Sequence, residues 1–187
     1  MRIVLLGPPG AGKGTQAVML AAANKIPHIS TGEMLRQAVQ EGSALGKQVK
    51  AVLDRGDLVS DEVMIALLRE RMSKQDCAPG FLLDGFPRTL PQAQALDRML
   101  KELSKELTHV IEIAVPERVL IDRIKSRGAS GSGRSDDTEE VASKRLKVFW
   151  ELTAPVIAYY REAKRLIEVD GLGTIEEVAS RIHAVLS

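Results

Sequence analysis

Apolar positions along this chain fall into short unbroken runs separated by longer amphipathic stretches, the pattern of a parallel sheet covered by helices. The runs Arg2–Leu6, Pro27–Ile29, Phe81–Leu83, Val110–Val115 and Leu166–Val169 carry little polar interruption, as strands buried on both faces do. Helical spacing of apolar residues predicts helices over about 13–24, 32–41, 45–54, 61–74, 90–107, 117–127, 138–164 and 175–186. Several of these open on caps: Ser60 before Asp61-Glu62, Thr138 before Glu139-Glu140, and the boxes Thr89/Gln92 and Thr174/Glu177. Two stretches break the alternation. Residues 30–59 hold two short helical patterns with no strand between them, punctuated by Gly32, Gly42, Gly46 and Gly56. Residues 128–137 form a small polar loop of Gly and Ser between two arginine-bearing helices, either an idle connection or a mobile flap.

Length and composition narrow the class. A chain of 187 residues with 44% hydrophobic and 27% charged residues is expected to be one globular domain. No apolar run approaches the roughly 20 residues that a membrane helix needs. The N-terminal stretch Met1-Arg2-Ile3-Val4-Leu5-Leu6-Gly7 is too short an apolar run for a secretory signal, and no small-residue cleavage site follows it. Cys77 stands alone, which excludes an internal disulfide and a clustered-thiolate zinc site and suits a reducing, cytoplasmic setting. Lys plus Arg number 26 against 25 for Asp plus Glu, so the chain is not a polycation and no nucleic-acid partner is expected. Between Arg123 and Lys147, however, seven basic residues face four acidic ones. His28, His109 and His183 lack metal-ligand spacing and read as surface or strand-edge residues, and Cys77 as an inert loop thiol. Phe149, Trp150, Tyr159 and Tyr160 share one long helical pattern and read as packing.

The strongest signal is Gly7-Pro8-Pro9-Gly10-Ala11-Gly12-Lys13-Gly14-Thr15-Gln16, placed directly after a strand and opening a helix. Such a turn aims successive backbone N–H groups into one concavity at a helix N-terminus, where phosphate binds. Lys13 then reaches the outer phosphates, and a hydroxyl serves Mg²⁺. The strict pattern places Ser or Thr right after the lysine; here Gly14 stands there and Thr15 follows, which leaves open which hydroxyl meets the metal. The chain reads as nucleotide-binding.

The spelling GPPGAGKGTQ, with Ser30-Thr31-Gly32-Glu33-Met34-Leu35-Arg36, Leu82-Leu83-Asp84-Gly85-Phe86-Pro87-Arg88-Thr89 and Val169-Asp170-Gly171, resembles the adenylate kinases among the nucleoside-monophosphate kinases. The likeness covers essentially the whole chain. It implies an α/β P-loop NTPase fold, with a five-stranded parallel sheet flanked by helices. The single kinase domain, 1–187, would carry an inserted helical NMP-binding segment at 30–59 and a short lid at 126–137. The lid passes from Arg127 to Arg134 through six small residues and so resembles the short form without zinc.

The resemblance also assigns roles. Gly10, Ala11, Gly12, Lys13, Gly14, Thr15, Arg123, Arg127 and Gly173 would hold ATP. Thr31, Arg36, Asp57, Leu58, Val59, Gly85, Phe86, Pro87, Arg88 and Gln92 would hold AMP, joined by Arg134 and Arg145 as the lid closes. Lys13, Arg88, Arg123, Arg134 and Arg145 would serve the transfer itself. Asp84 ends an apolar strand, where its carboxylate either caps the strand or holds Mg²⁺ through water, with Thr15 as a possible second ligand. Phe86-Pro87 is expected to be a cis bond that aims Arg88.

Thr31 is open to two readings, N-cap of its helix or contact to adenine, and Gln92 likewise to capping partner of Thr89 or adenine contact. Pyrimidine-nucleotide relatives tend to carry Ala at the Thr31 position, so Thr favours AMP over UMP or CMP. No His or carboxylate stands out as a general base, and an ionised phosphate acceptor needs none. The expected reaction is reversible transfer from MgATP to AMP giving two ADP by a monomer, with a UMP/CMP-type kinase as the near rival. A non-catalytic nucleotide switch is disfavoured, because Asn24-Lys25-Ile26-Pro27 breaks the Asn-Lys-x-Asp guanine-reading pattern.

Overall fold

The computed structural model describes residues 1–129 and 138–186, with residues 127–129 as backbone only. Among them, five parallel strands form one sheet in the order β2–β3–β1–β4–β5. These are β1 (Arg2–Leu6), β2 (His28–Ser30), β3 (Phe81–Asp84), β4 (His109–Ala114) and β5 (Leu166–Asp170). Each strand bound lies within a residue or two of the sequence expectation. The physical basis is the two-residue period of a strand, which sends successive side chains to opposite faces. On β1, Val4 and Leu6 enter one core and Ile3 and Leu5 the other; on β3, Phe81 and Leu83 part from Leu82 in the same way.

Helices cover both faces. On one side α1 (Lys13–Asn24), α6 (Glu117–Ala129) and α9 (Ile175–Ala184) bury Ala17, Leu20, Leu120, Val178 and Ile182 against Ile3 and Leu5. On the other, α4 (Asp61–Met72), α5 (Leu90–Glu102) and α8 (Ala154–Glu162) pack Leu68, Leu96 and Tyr160 against Val4 and Phe81. Between β2 and α4 the chain makes α2 (Thr31–Gln40) and α3 (Ala44–Asp54), with no intervening strand. An added Cβ on Gly46 would sit 2.0 Å from the Ala38 carbonyl oxygen, so glycine is what lets these two helices approach.

Several local expectations need correction. The helix read through 138–164 is broken: α7 (Glu139–Val148) passes into a π turn at Phe149–Thr153 before α8 resumes. Pro155 has no N–H to donate to the carbonyl four residues back, so the regular ladder cannot run through it. Trp150 turns out toward solvent, 47% exposed, while Phe149 and Tyr160 pack inside. The helix read to residue 107 stops at Glu102, where Ser104 adopts left-handed backbone and Lys105 N–H returns to the Leu100 carbonyl. Ser60 makes no side-chain cap to α4.

Thr174 and Glu177 form the full reciprocal box. Thr89 accepts from Gln92 N–H, but the Gln92 amide turns to Arg88 instead of back to Thr89. Ser30 caps α2 in place of Thr31. Cys77 is buried, and burial pushes its thiol up from the ordinary range. Among the described residues no helix is long and apolar enough to cross a membrane.

Gly46→Ala should lower unfolding stability by about 2 kcal/mol, because backbone rather than a flexible side-chain end must yield. Urea denaturation followed by circular dichroism measures the loss; a midpoint unchanged from the parent would show that α2 and α3 can part freely.

Candidate active site

The cleft opens at the carboxyl ends of the strands, where open parallel sheets bind ligands. The loop leaving β1 crosses to α1 with Gly7 at φ +139°, where an added Cβ would meet the Ile113 carbonyl oxygen at 2.6 Å. The ammonium of Lys13 lies over the loop, donating to the carbonyls of Gly7 at 2.7 Å and Pro8 at 2.9 Å. Pro9, Gly10, Gly12, Lys13, Gly14 and Thr15 line a polar cleft of about 1050 Å³, open to solvent, together with His28, Asp84 and Arg88. Ala11 is buried, so only its backbone is available to that loop.

Register places Leu5 of β1 and Ser30 of β2 on either side of Asp84. Asp84 lies deep in the cleft, with an added Gly14 Cβ falling 3.6 Å from its Oδ2. Burial pushes this carboxyl up, but His28 beside it, with Lys13 and Arg88 nearby, outweighs burial and holds it below the usual carboxylate range. His28 Nε2 stands 3.6 Å from Asp84 Oδ2, within ion-pair reach and beyond a hydrogen bond. His28 therefore faces inward, not to solvent as its edge-strand position suggested. Sequence spacing carried no signal for it, because the contact spans two strands.

A hard cation held by one carboxylate and by ligand phosphate oxygens suits this donor set. Among the described residues no cluster of three or more His, Cys, Asp or Glu is placed to cage a metal by protein ligands alone.

A second cleft of about 550 Å³ lies between the sheet end and α2–α3. Thr31, Arg36, Asp57, Leu58, Val59, Gly85, Arg88, Gln92 and Arg145 line it. Thr31 Oγ1 donates to the Gly85 carbonyl at 2.8 Å, so its lone pairs are left for the cleft. Arg88 Nε donates to the same carbonyl at 2.8 Å, and the Phe86–Pro87 bond that aims it is cis. Phe86 itself is fully buried in the core beneath β3, and Pro87 lines an adjoining pocket with Gly7, Lys13, Leu58 and Arg88. The π turn adds a support: Thr153 Oγ1 donates to the Arg88 carbonyl at 2.8 Å.

Arg36, Gly85, Arg88 and Arg145 border both clefts, which run into each other there. Helix α7 reaches over the end of α3. Lys144 Nζ pairs with Asp57 Oδ1 at 2.6 Å, and Arg145 Cγ lies 2.9 Å from a Cβ placed on Gly56. Lys144, with Arg55 second, holds the Asp57 carboxyl below its ordinary range.

Two residues expected on the donor side meet near the turn after β5. Arg123 Nη2 donates to the Gly171 carbonyl at 3.1 Å, tying α6 to the turn after β5. Gly173, at φ +102°, lies in that turn, and an added Cβ would meet Glu177 Oε2 at 2.1 Å, so its glycine also serves the α9 capping box. The Arg127 side chain and all of Arg134 lie outside the described residues.

A phosphate loop joined to a second basic cleft on a parallel sheet defines a nucleotide-binding α/β protein with room for two anionic ligands. The comparisons with known proteins make that class specific. A family model for adenylate kinase matches residues 5–165. The adenylate kinase of Xylella fastidiosa (strain 9a5c) is 50% identical over 186 residues, covering 100% of this chain and 99% of that protein. The adenylate kinase of Xanthomonas campestris pv. campestris (strain B100) is 48% identical over the same span and coverage. The chain belongs to the adenylate kinase family, which makes it a nucleoside-monophosphate kinase, a phosphotransferase.

Because Asp84 is held below the usual carboxylate range, its ionised form supports the fold at neutral pH. That support is lost as pH falls below about 4, where carboxylates ordinarily titrate. The stability gap between the parent and Asp84→Asn should therefore shrink on acidification. Urea midpoints from pH 7 to pH 3 measure it, and a gap that widened toward acid would contradict the sign.

Proposed function

We propose that this enzyme transfers the γ-phosphoryl group of MgATP reversibly to AMP, giving two ADP, with ATP in the phosphate-loop cleft and AMP in the α2–α3 cleft. The observation that carries the reading is the shared border: Arg36, Gly85, Arg88 and Arg145 face both clefts, where one phosphoryl group would pass between them. The AMP phosphate oxygen attacks the γ-phosphorus, the bond to the β,γ-bridging oxygen breaks, and ADP leaves carrying the electron pair. No proton need be removed from an acceptor that is already ionised, so positioning and charge stabilisation supply the catalysis.

In this reading the loop N–H groups from Gly10 to Thr15 cradle the donor phosphates, and Lys13 exchanges its two loop carbonyls for phosphate oxygens. Arg88 and Arg36 grip the acceptor phosphate; guanidinium forks match phosphate bidentately. Arg145 stands at the junction, with Arg134 brought in by a lid over 126–137 and Arg123 and Arg127 on the donor side with Gly173. Asp84, with Thr15 as a second candidate, would hold Mg²⁺ through water, and that ion supplies charge neutralisation along the phosphate chain. Zinc has no part in it.

Leu58, Val59, Thr31 and Gln92 would enclose the acceptor base, with segment 30–59 as the acceptor-binding insert of one kinase domain. A monomer in the cytoplasm, working on free nucleotides and on no nucleic acid or membrane, suffices for this chemistry. Closure over both substrates keeps water from the γ-phosphate.

A coupled assay with MgATP and each of AMP, GMP, UMP and CMP tests the reading. Two ADP per AMP consumed is expected, with little ATP loss when no acceptor is present. Preference for UMP or CMP would overturn the choice of base, and hydrolysis indifferent to every monophosphate would overturn the acceptor site. Lys13→Ala should cut kcat by at least about 100-fold with the circular dichroism spectrum retained, as loss of a phosphate-stabilising charge does. Arg88→Ala should raise KM for AMP far more than KM for ATP; equal losses on both sides would place Arg88 on the wrong nucleotide.

A further inference from the structure

Gln92 is 2% exposed, lines the acceptor cleft beside Thr31, and is held at both ends of its amide. Arg88 backbone N–H donates to Gln92 Oε1 at 2.8 Å. Gln92 Nε2 donates to Asp61 Oδ1 at 2.8 Å, an oxygen that also accepts from Thr89 Oγ1 at 2.8 Å. Thr89 Oγ1 in turn accepts from Gln92 N–H at 3.3 Å. Asp61, the first residue of α4, thus bridges the start of α4 to the start of α5.

The two partners of the amide are chemically one-sided. An ionised carboxylate can only accept, and a backbone N–H can only donate. Turned over, the amide would set its oxygen against the Asp61 carboxylate and its NH₂ against the Arg88 N–H, losing two buried hydrogen bonds and gaining two like-with-like contacts. The order of the amide is therefore dictated. One N–H and one lone pair are left on Gln92 for a ligand. Thr31, its proton committed to the Gly85 carbonyl, adds further lone pairs on the same cleft.

A 6-aminopurine presents an amino donor next to a ring-nitrogen acceptor, the complement of a fixed amide oxygen and N–H. A 6-oxopurine presents a carbonyl acceptor next to a ring N–H donor, which demands the amide in the forbidden order. We propose that Asp61 is a positioning residue for base selectivity. By locking the Gln92 amide, it makes the acceptor cleft take a 6-aminopurine monophosphate and reject a 6-oxopurine one. The inference rests on the reading that AMP is the acceptor with its base at Thr31 and Gln92. Discrimination arises because the wrong base leaves polar groups unpaired, and not from pocket size.

AMP and IMP differ only at this edge, so initial rates with saturating MgATP and each of the two provide the test. Asp61→Asn can present either an oxygen or an NH₂ to Gln92 and so removes one of the two constraints on the amide, leaving only the Arg88 N–H. The ratio of kcat/KM for AMP over IMP should fall about tenfold, the scale of one lost hydrogen-bond preference. The fall should come through a higher KM for AMP and a gain with IMP, while KM for ATP holds. Asp61→Glu, still acceptor-only, should recover the ratio. Should Asp61→Asn not fold, Asp61→Ser, smaller and equally ambivalent, carries the same comparison. An AMP/IMP ratio unchanged in the Asn or Ser variant, or equal losses on both nucleotides with a lower Tm, would show Asp61 to be structural only and overturn the proposal. If the parent enzyme turns over no AMP at all, the acceptor reading fails first and this inference with it.

Discussion

The parallel pairing of β1 with β3 is the contact on which the rest of the cleft depends. It sets Leu5 opposite Asp84, so the phosphate loop that begins after Leu6 opens beside a carboxylate that ends the neighbouring strand. The pairing of β2 with β3 adds Ser30 on the other side of Asp84 and brings His28 to it. Strands that ran antiparallel would send the loop and the carboxylate to opposite ends of the sheet. One register therefore assembles lysine, carboxylate, histidine and helix N-terminus, and every later feature is hung on those strand ends.

From that edge the acceptor side is built by relays of polar contacts more than by apolar packing. The Gly85 carbonyl accepts from both Thr31 and Arg88, and the Arg88 carbonyl accepts from Thr153 in the π turn. Arg88 N–H continues to Gln92, and Gln92 to Asp61. A phosphate-gripping guanidinium and a base-reading amide thus share one backbone, so a shift at either disturbs the other. Lowering the dielectric around such a chain strengthens each member and makes a broken one costly. The irregular helical turn at Phe149–Thr153 belongs to the same relay, because it carries the hydroxyl that donates to the Arg88 carbonyl.

Much of this was legible beforehand. Strand positions, the alternation of helices, the phosphate loop and the residues Thr31, Arg36, Arg88 and Gln92 follow from local apolar periods, glycine placement and the match to the adenylate kinase motifs. Such signals are local in sequence, so composition and spacing carry them. The points that spacing left unresolved share a cause as well. Thr31 stood open between helix cap and base contact; Ser30 takes the cap and Thr31 turns its hydroxyl to Gly85. Gln92 stood open between capping partner of Thr89 and base contact; its N–H does meet Thr89 Oγ1, while its amide goes to Arg88 and Asp61. Phe86 read as part of the acceptor cleft, yet a large ring next to a buried strand finds more apolar surface in the core.

By itself the sequence determined a P-loop α/β kinase chain of the adenylate kinase family, its strands, its phosphate-binding turn and its stock of arginines, because each depends on neighbours a few residues apart. Only the tertiary structure decided which partners those residues take. His28 meets Asp84 across two strands, Lys144 meets Asp57 across the mouth of the acceptor cleft, and Asp61 meets Gln92 between the starts of two helices. These contacts join residues 31 to 87 positions apart, and no periodicity in the chain encodes the direction of a side chain toward so distant a partner. That direction comes from strand register and helix packing, which exist only once the sheet has closed.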